Sequence, residues 1–525
     1  MHAMGAALYA AGRKKEAALW LQDAFAKGHA PSALLLADLY MQGDAAPVTE
    51  KEGYQVFLQA VLRERYRAQP YFCRYASYSQ DHILPDVRKA AVMCGRAYRP
   101  LILDLKGKGL RFLSRKVYFD WHDDAYAVSS AWPRSDMGIL VHDKNGNGII
   151  DNGSEMITGR IGGAANGFMA LSAYDTNGDG ILSPADTAWG DLRIWLDGAS
   201  DGKINPQGKP ELFTPEELHI TSISLRYRNV DKEINKNKIW QEGAFTIDGV
   251  EHDLFAVTLD MDLYNTDFRD SGKTPLPENL KNAPDLRGYG LIKNLHDQLA
   301  IDADTADPQS LASLLLSFQS SYTLENVFLP ETPLEADILA ILFRWAEVDG
   351  VDPAGRGRNI DARALAYLDK TLNREFLQRG VAFNPRPQAA ADLKDSFAYV
   401  YANMVGNLLA QTAARELLTG PNVRYVVNSH RFYGVEALDD AAVAKLVTIA
   451  KGLPDTAARK IFWRRVALVL RTVFPGMSAP RQYVKLAQAI RDSDAALDAE
   501  KLVKGRFVYA HLPLPDPRQR VKKSP

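Results

Sequence analysis

The residues with the most chemistry to offer lie in two acidic, glycine-bearing segments, DKNGNGIIDNGSE from Asp143 to Glu155 and DTNGDGILSPAD from Asp175 to Asp186. Calcium takes about six to eight oxygen ligands at about 2.3–2.6 Å, and a loop supplies them by turning tightly with carboxylates and amides at alternate positions. In the second segment Asp175, Asn177 and Asp179 hold the first, third and fifth places, and Gly180 falls where the chain must turn sharply. Ile181 offers its backbone carbonyl from the seventh place, Ser183 a bridging water from the ninth, and Asp186 a carboxylate from the twelfth. The first segment repeats Asp143, Asn145, Asn147 and Gly148 at the same offsets, with Ile149 seventh and Asp151 ninth. Ser154 is twelfth there, so the nearest long carboxylate, Glu155, comes one place late. Asn, Asp and Gly also suit ordinary turns, the plainer reading of both segments.

Two further stretches share part of this layout. Asp197, Asp201 and Gly202 begin one, but Ala199 cannot ligate and Glu211 arrives beyond the usual twelfth place. Asp120, His122 and Asp124 alternate in the other, with Ala125 where glycine would ease the turn. Both are expected to be structural turns rather than calcium sites.

These loops need elements to hold them. GFMALSAY from Gly167 places Phe168, Leu171 and Tyr174 at helical spacing ahead of the second loop, and Ser183 with Pro184 predicts an N-cap and first helical residue after it. MGILVHD, before the first loop, predicts a buried strand. ITSISLRYR, GAFTIDG and HDLFAVTLDMD carry alternating or β-branched patterns, and Asp248-Gly249 suits a tight hairpin turn. The expected fold class is α+β, mostly α, in three parts. Residues 1–95 would be helical repeats, 100–270 an EF-hand-like calcium-loop domain with a small β-sheet, and 276–525 a helical domain. The last is interrupted at Asn384, Pro385, Arg386 and Pro387, where two prolines forbid a continuous helix.

Composition removes several functions. Lys+Arg 63 against Asp+Glu 64 leaves a formal net charge of -1, so no global basic field argues for nucleic acid. No stretch approaches the ~18 uninterrupted apolar residues of a membrane helix. In MHAMGAALYAAGRKK the basic residues follow the apolar run, the reverse of a secretory signal. Cys73 and Cys94, the two cysteines, form no CxxC pair and are read as buried thiols, with a disulfide between them as the alternative. The marks of a GxSxG elbow, an HExxH helix or a GxxxxGKS phosphate loop are missing as well.

Two resemblances extend these readings. Tyr9, Gly12 and Trp20 recur as Tyr40, Gly43 and Tyr54, which resembles Sel1-like and tetratricopeptide repeats, whose helices would either offer a face to a protein partner or pack onto the next domain. PLILDLKGKG from Pro100, GILVHDKNGNGIIDNGSE, NGFMALSAYDTNGDGILSPAD, LRIWLD and ITSISL occur in that order. With LRGYGLIKNLHDQLAID and WAEVDGVDPAGRG they resemble, over residues 100 to 375, the calcium-binding, self-processing module of large RTX proteins of the meningococcal iron-regulated type and the helical segment after it.

That resemblance implies a secreted bacterial protein that binds Ca²⁺, without a cleaved N-terminal signal. It also implies cleavage of an Asp-Pro bond at the module's edge, where this chain has Arg99-Pro100. Arginine has no nucleophilic oxygen, so cleavage there is not expected. The family's opening LDLDGDG reads LDLKGKG here, and Lys106 and Lys108 would repel a cation. The leading expectation is a non-enzymatic calcium-binding module. Its rivals are a calcium-triggered autoprotease acting at another bond and a delivered effector whose activity lies in residues 380–525.

Overall fold

The computed structural model describes residues 2–10, 13–26, 32, 36, 39, 99–158, 166–204, 208–376, 384–475 and 480–514. Contacts divide the chain into two units, Met1–Arg269 and Asp270–Pro525.

At the start of the first unit, helices His2–Ala10 and Lys14–Ala26 bury Ala17, Ala18 and Leu21 with Leu36 and Leu39. Arg13 and Glu16 pair across one turn at 2.6 Å, both well exposed. The second half of the repeat pattern, Tyr40, Gly43 and Tyr54, lies outside the described residues, as do Cys73 and Cys94.

The centre of this unit corrects the expected fold class. Its strands are β1 (Leu101–Leu103), β2 (Val117–Phe119), β3 (Tyr126–Ser130), β4 (Gly138–Val141), β5 (Ile181–Leu182), β6 (Arg193–Trp195), β7 (Leu212–Phe213), β8 (Ile220–Ile234), β9 (Asn237–Ile247), β10 (Val250–Thr258) and β11 (Met261–Phe268). In place of a small sheet in an EF-hand-like domain, eight of them form one curled antiparallel sheet in the order β5-β8-β9-β10-β1-β4-β6-β7. A second sheet runs β11-β3-β2.

The short apolar strands sit in the middle because both of their faces are covered. Ile102, Ile139, Val141 and Trp195 join one core with Phe119, Trp121 and Trp132, whereas Leu101, Leu103, Leu140 and Ile194 join another with Phe168 and Phe245. Alternate residues of β1, β4 and β6 thus serve opposite cores, which is why LIL and GILV read as unbroken apolar runs. The hairpin at Asp248-Gly249 forms as the sequence requires, with φ of 47° and 80° joining β9 to β10.

The second loop also departs from helix-loop-helix. It is entered from a five-residue helix, Gly167–Leu171, capped by Asn166, and it leaves into β5. Ser183 and Pro184 start a turn, not a helix. Leu182 pairs with Ile223 and is fully buried, and the Asp186 side chain, which would lie in the first helical turn, instead accepts from the Ser183 and Thr176 amides and closes the loop.

The second unit is mainly helical, around a core that includes Phe328, Trp345, Tyr401 and Trp463. Pro387 opens the 25-residue helix Pro387–Gln411 at its first position, where a missing N–H costs nothing. Two small antiparallel pairs that the helical reading did not contain join Leu418–Thr419 to Ala437–Leu438 and Arg424–Val426 to Arg431–Tyr433. Arg465 and Glu335 form a buried ion pair, and Thr332 and the Leu329 carbonyl take the remaining guanidinium hydrogens. Burial of two charges needs this degree of satisfaction.

Candidate metal-binding loops

In the loop that begins at Asp175, the Gly178 amide donates to Asp175 Oδ1 at 2.8 Å and the Gly180 amide to Oδ2 at 3.0 Å. The next acceptors continue the series: Asn177 Oδ1 takes the Asp179 N–H at 2.9 Å, and Asp179 Oδ1 takes the Ile181 N–H at 2.8 Å. Asp186 then closes the ring, its Oδ1 accepting from Thr176 N at 2.8 Å and its Oδ2 from Ser183 N at 3.0 Å. Burial pushes the Asp186 carboxyl up, but the bonds from Ser183, Asn177 and Thr176 outweigh it and hold the group below the usual carboxylate range. The Ser183 hydroxyl is occupied by the Ala185 N–H.

The loop from Asp143 has the same construction. Gly146 and Gly148 donate to Asp143 Oδ1 and Oδ2 at 2.9 and 2.8 Å, and Asn145 Oδ1 and Asn147 Oδ1 accept from Asn147 N and Ile149 N. Asp151 lies across the loop, where its Oδ2 receives the amide nitrogens of Asn145 and Asn147 at 3.1 and 2.8 Å. Glu155, 2 % exposed, closes this ring by accepting from Lys144 N at 3.2 Å and Asp151 N at 2.8 Å. Burial raises its carboxyl above the ordinary value.

Three more loops share the clasp between an aspartate and the fifth residue after it. Gly109 N reaches Asp104 Oδ2 at 2.6 Å, Ala125 N reaches Asp120 Oδ2 at 3.0 Å, and Gly202 N reaches Asp197 Oδ2 at 2.7 Å. In all five loops the third and fifth residues after the aspartate have positive φ. They are Gly107 and Gly109, Asp123 and Ala125, Gly146 and Gly148, Gly178 and Gly180, and Ser200 and Gly202. The stretches expected to be structural turns therefore have the backbone of the two strong candidates. At Asp197 the closing role falls to Glu211, whose Oε1 takes the Ala199 N–H at 3.0 Å. Its Oε2 is buried with no hydrogen-bond partner among the described residues.

Neighbouring elements fix these loops. Trp132 Nε1 donates to Asp197 Oδ2 at 2.7 Å, tying that loop to the cluster of Phe119, Trp121, Trp132 and Trp195. Asn152 donates to Asp123 Oδ1 at 2.7 Å, and a Cβ at Gly153 would lie 2.2 Å from the Trp121 carbonyl, so the Asp143 and Asp120 loops pack closely.

The chemistry of the donor set suits a hard cation. Carboxylate and amide oxygens dominate, and His and Cys take no part in the two strong loops. Each loop draws on few acids, and among the described residues no group of three or more His, Cys, Asp or Glu is gathered as a metal-holding cluster. The remaining ligands would be Asn oxygens and main-chain carbonyls such as those of Ile149 and Ile181.

Comparison with known proteins adds a family to part of this region. Residues 101–260 match the SPM domain family. That span holds all five loops and the whole eight-stranded sheet. The chain is also similar to iron-regulated protein FrpA of Neisseria meningitidis serogroup C, 32% identical over 299 residues. The match takes in 55% of this chain and 24% of that protein, so the chain spans about a quarter of the length of its relative. Among the described residues no helix is long and apolar enough to cross a membrane.

Proposed function

We propose that residues 101–260 form a calcium-stabilised, non-catalytic module of a secreted, RTX-associated bacterial protein, and that the helical parts of the chain contact a protein partner. The observation that carries this reading is the matched construction of the Asp143 and Asp175 loops. In each, main-chain N–H groups orient the oxygens of an aspartate and two further side chains, and a carboxylate closes the ring. Asp143, Asn145, Asn147, Ile149, Asp151 and Glu155 would serve one ion. Asp175, Asn177, Asp179, Ile181, Ser183 and Asp186 would serve the other, with Ser183 acting through a water. The unpartnered Glu211 oxygen suits a cation at the Asp197 loop as well.

Bound Ca²⁺ would neutralise acids crowded into short turns and so hold the loops against the sheet. Each loop has few carboxylates, so affinity should fall at about 10⁻⁵ to 10⁻³ M. Titration calorimetry and thermal unfolding of the whole chain test this. Heat of binding and a higher Tm at millimolar calcium are expected; neither appearing would refute the reading.

The edge of the module supports a role without bond cleavage. Pro100 is buried with its carbonyl accepting from Val257 N at 3.2 Å, and the Arg99 guanidinium lies 4.2 Å from the centre of the Trp240 ring. A cation stacked on an aromatic ring offers no nucleophile at this bond. Intact mass after incubation with calcium should show one 58.2 kDa species.

A further inference from the structure

Beside the Asp197 loop, whose Ser200 forms part of its wall, lies an open cleft of about 400 Å³, lined also by Phe112, Leu113, Ser114, Arg134, Ser135 and Asn235. Its volume lies within the range of about 300–1,000 Å³ typical of small-molecule sites.

The cleft is built by backbone that has been fixed elsewhere. Phe112 bridges to Pro133, Arg134 N donates to the Arg111 carbonyl at 3.2 Å, and Met137 N donates to the Arg134 carbonyl at 2.9 Å. Ser200 and Asn235 enter from two other segments, each held at positive φ, 59° and 50°.

Of the arginines at 111, 115 and 134, Arg134 alone lines this cleft, and pairing separates it from the other two. Arg111 is bound to Asp136 at 2.7 Å, and Arg115 donates to the Ser200 carbonyl at 2.6 Å. Arg134 is exposed, and none of the ion pairs or side-chain hydrogen bonds among the described residues engages its guanidinium. A planar fork of N–H donors with no carboxylate of its own recognises one from a ligand in bidentate fashion. Beside it the hydroxyls of Ser114 and Ser135 and the Asn235 amide can each donate and accept, whereas the Ser200 hydroxyl already donates to the Asp197 carbonyl at 3.5 Å. Leu113, only partly buried, and the small part of Phe112 that is exposed, 8 %, supply the apolar wall.

We propose that this cleft binds an acidic sugar: a polyhydroxylated ring whose carboxylate meets Arg134, whose hydroxyls meet Ser114, Ser135 and Asn235, and whose C–H face lies on Leu113 and Phe112. The combination excludes the simpler ligands. A bare anion would leave the serines and the apolar wall idle, and a neutral sugar would leave the guanidinium idle.

Saturation-transfer NMR and calorimetry on the full chain at a fixed millimolar calcium concentration provide the test. The probes are glucuronate, methyl β-glucuronide, glucose and inorganic phosphate. Glucuronate is expected to bind with Kd on the order of millimolar. Glucose should bind at least about tenfold more weakly, since a charge-assisted pair is lost. Tighter binding of the methyl glucuronide would point to a uronate within a glycan chain, and preference for glucuronate to the free acid; both support the proposal.

Arg134→Ala, at an exposed position, should fold normally by circular dichroism and bind glucuronate no better than wild type binds glucose. Ser135→Ala should weaken both sugars to a similar degree. The proposal is overturned if glucuronate fails to bind, if Arg134→Ala leaves its affinity unchanged, or if phosphate alone binds as tightly as glucuronate.

Discussion

His142 and Tyr174 are joined by a hydrogen bond of 2.7 Å between Nδ1 and the phenol oxygen, and each immediately precedes the first aspartate of a loop, Asp143 or Asp175. Their rings meet edge-on, with centres 5.7 Å apart. Burial lowers the imidazole pKa and pushes the phenol up to about 12, so both groups are neutral at pH 7. The two candidate ion sites are thus tied at their entrances by one neutral contact. Tyr174→Phe should cost about 1 kcal/mol of stability. It should also separate the two calcium-binding events, which calorimetry would register as a broader, less coupled isotherm.

Glu155 and Asp186 play the same part despite different spacing. Each accepts from the amide one residue after the loop's first aspartate and from the amide eight residues after it. The extra methylene of glutamate spans the extra residue in the chain. Glu155→Gln and Asp186→Asn replace a carboxylate oxygen by an NH₂ that faces backbone donors. Each should destabilise the ion-free protein by about 1–3 kcal/mol and weaken calcium at its own loop by about tenfold or more. The other loop should lose much less, only what passes through the His142–Tyr174 contact, as titration of the single variants can show.

The five loops also rank their glycines. A Cβ added to Gly180, at φ 82°, would meet open space, so Gly180→Ala bears only the backbone cost, about 1–2 kcal/mol. A Cβ at Gly202 would lie 2.5 Å from Val117 Cγ1 and 3.0 Å from the Tyr118 carbonyl, so Gly202→Ala should cost distinctly more. At Ala125 the strain is already present, with φ 67° in the same loop position. Ala125→Gly should therefore stabilise the protein by about 0.5–1 kcal/mol, the αL penalty less the entropy of glycine. Urea unfolding of the three variants would give the order.

The loops were readable in the residues because the clasp requires one aspartate and a residue tolerant of positive φ at a fixed interval. The same economy left the other three with a weaker ligand signal. Lysines at 106 and 108, Ala125, and Ala199 with a distant Glu211 erase the ligand pattern without changing the backbone. The β4 and β10 segments, by contrast, were legible as strands, yet not their number or pairing, and β1 was not legible as one. β1 lies between β10 and β4, so its register joins Ile102 to Phe255 and to Ile139, partners that no local periodicity reveals. The helix expected at Ser183 is replaced by a turn in which Asp186 accepts from Ser183 N and Thr176 N, a loop-closing role that local periodicity does not reveal.

In the helical unit Asp369 carries a separate pH dependence. Burial raises its carboxyl to about 6, although the Phe376 amide and Arg356 at 3.0 Å both oppose the shift. A folded value above the unfolded one means that its contribution is complete below the unfolded pKa and is lost as pH rises through about 6. The unit should therefore lose up to about 3 kcal/mol between pH 4 and 6 from this group. NMR titration of the Asp369 carboxyl carbon should give a midpoint near 6. In Asp369→Asn the same stretch of the stability curve should flatten.

The Asp104 loop offers a gain of binding. Its frame is already set: Asp104 Oδ2 holds the Gly109 amide at 2.6 Å, Oδ1 holds the Lys106 amide at 3.2 Å, and Gly107 and Gly109 have φ of 62° and 77°. What separates it from the Asp175 loop is charge, because Lys106 and Lys108 occupy the places of Asn177 and Asp179. Both lysines lie in an exposed turn, so their replacement disturbs no packing. Lys106→Asp with Lys108→Asp converts two repelling ammonium groups into two oxygen donors. Native mass spectrometry at millimolar calcium should then find one more bound ion than in the parent chain. Lys106→Ala with Lys108→Ala, which removes the repulsion but adds no donor, should leave the parent stoichiometry unchanged.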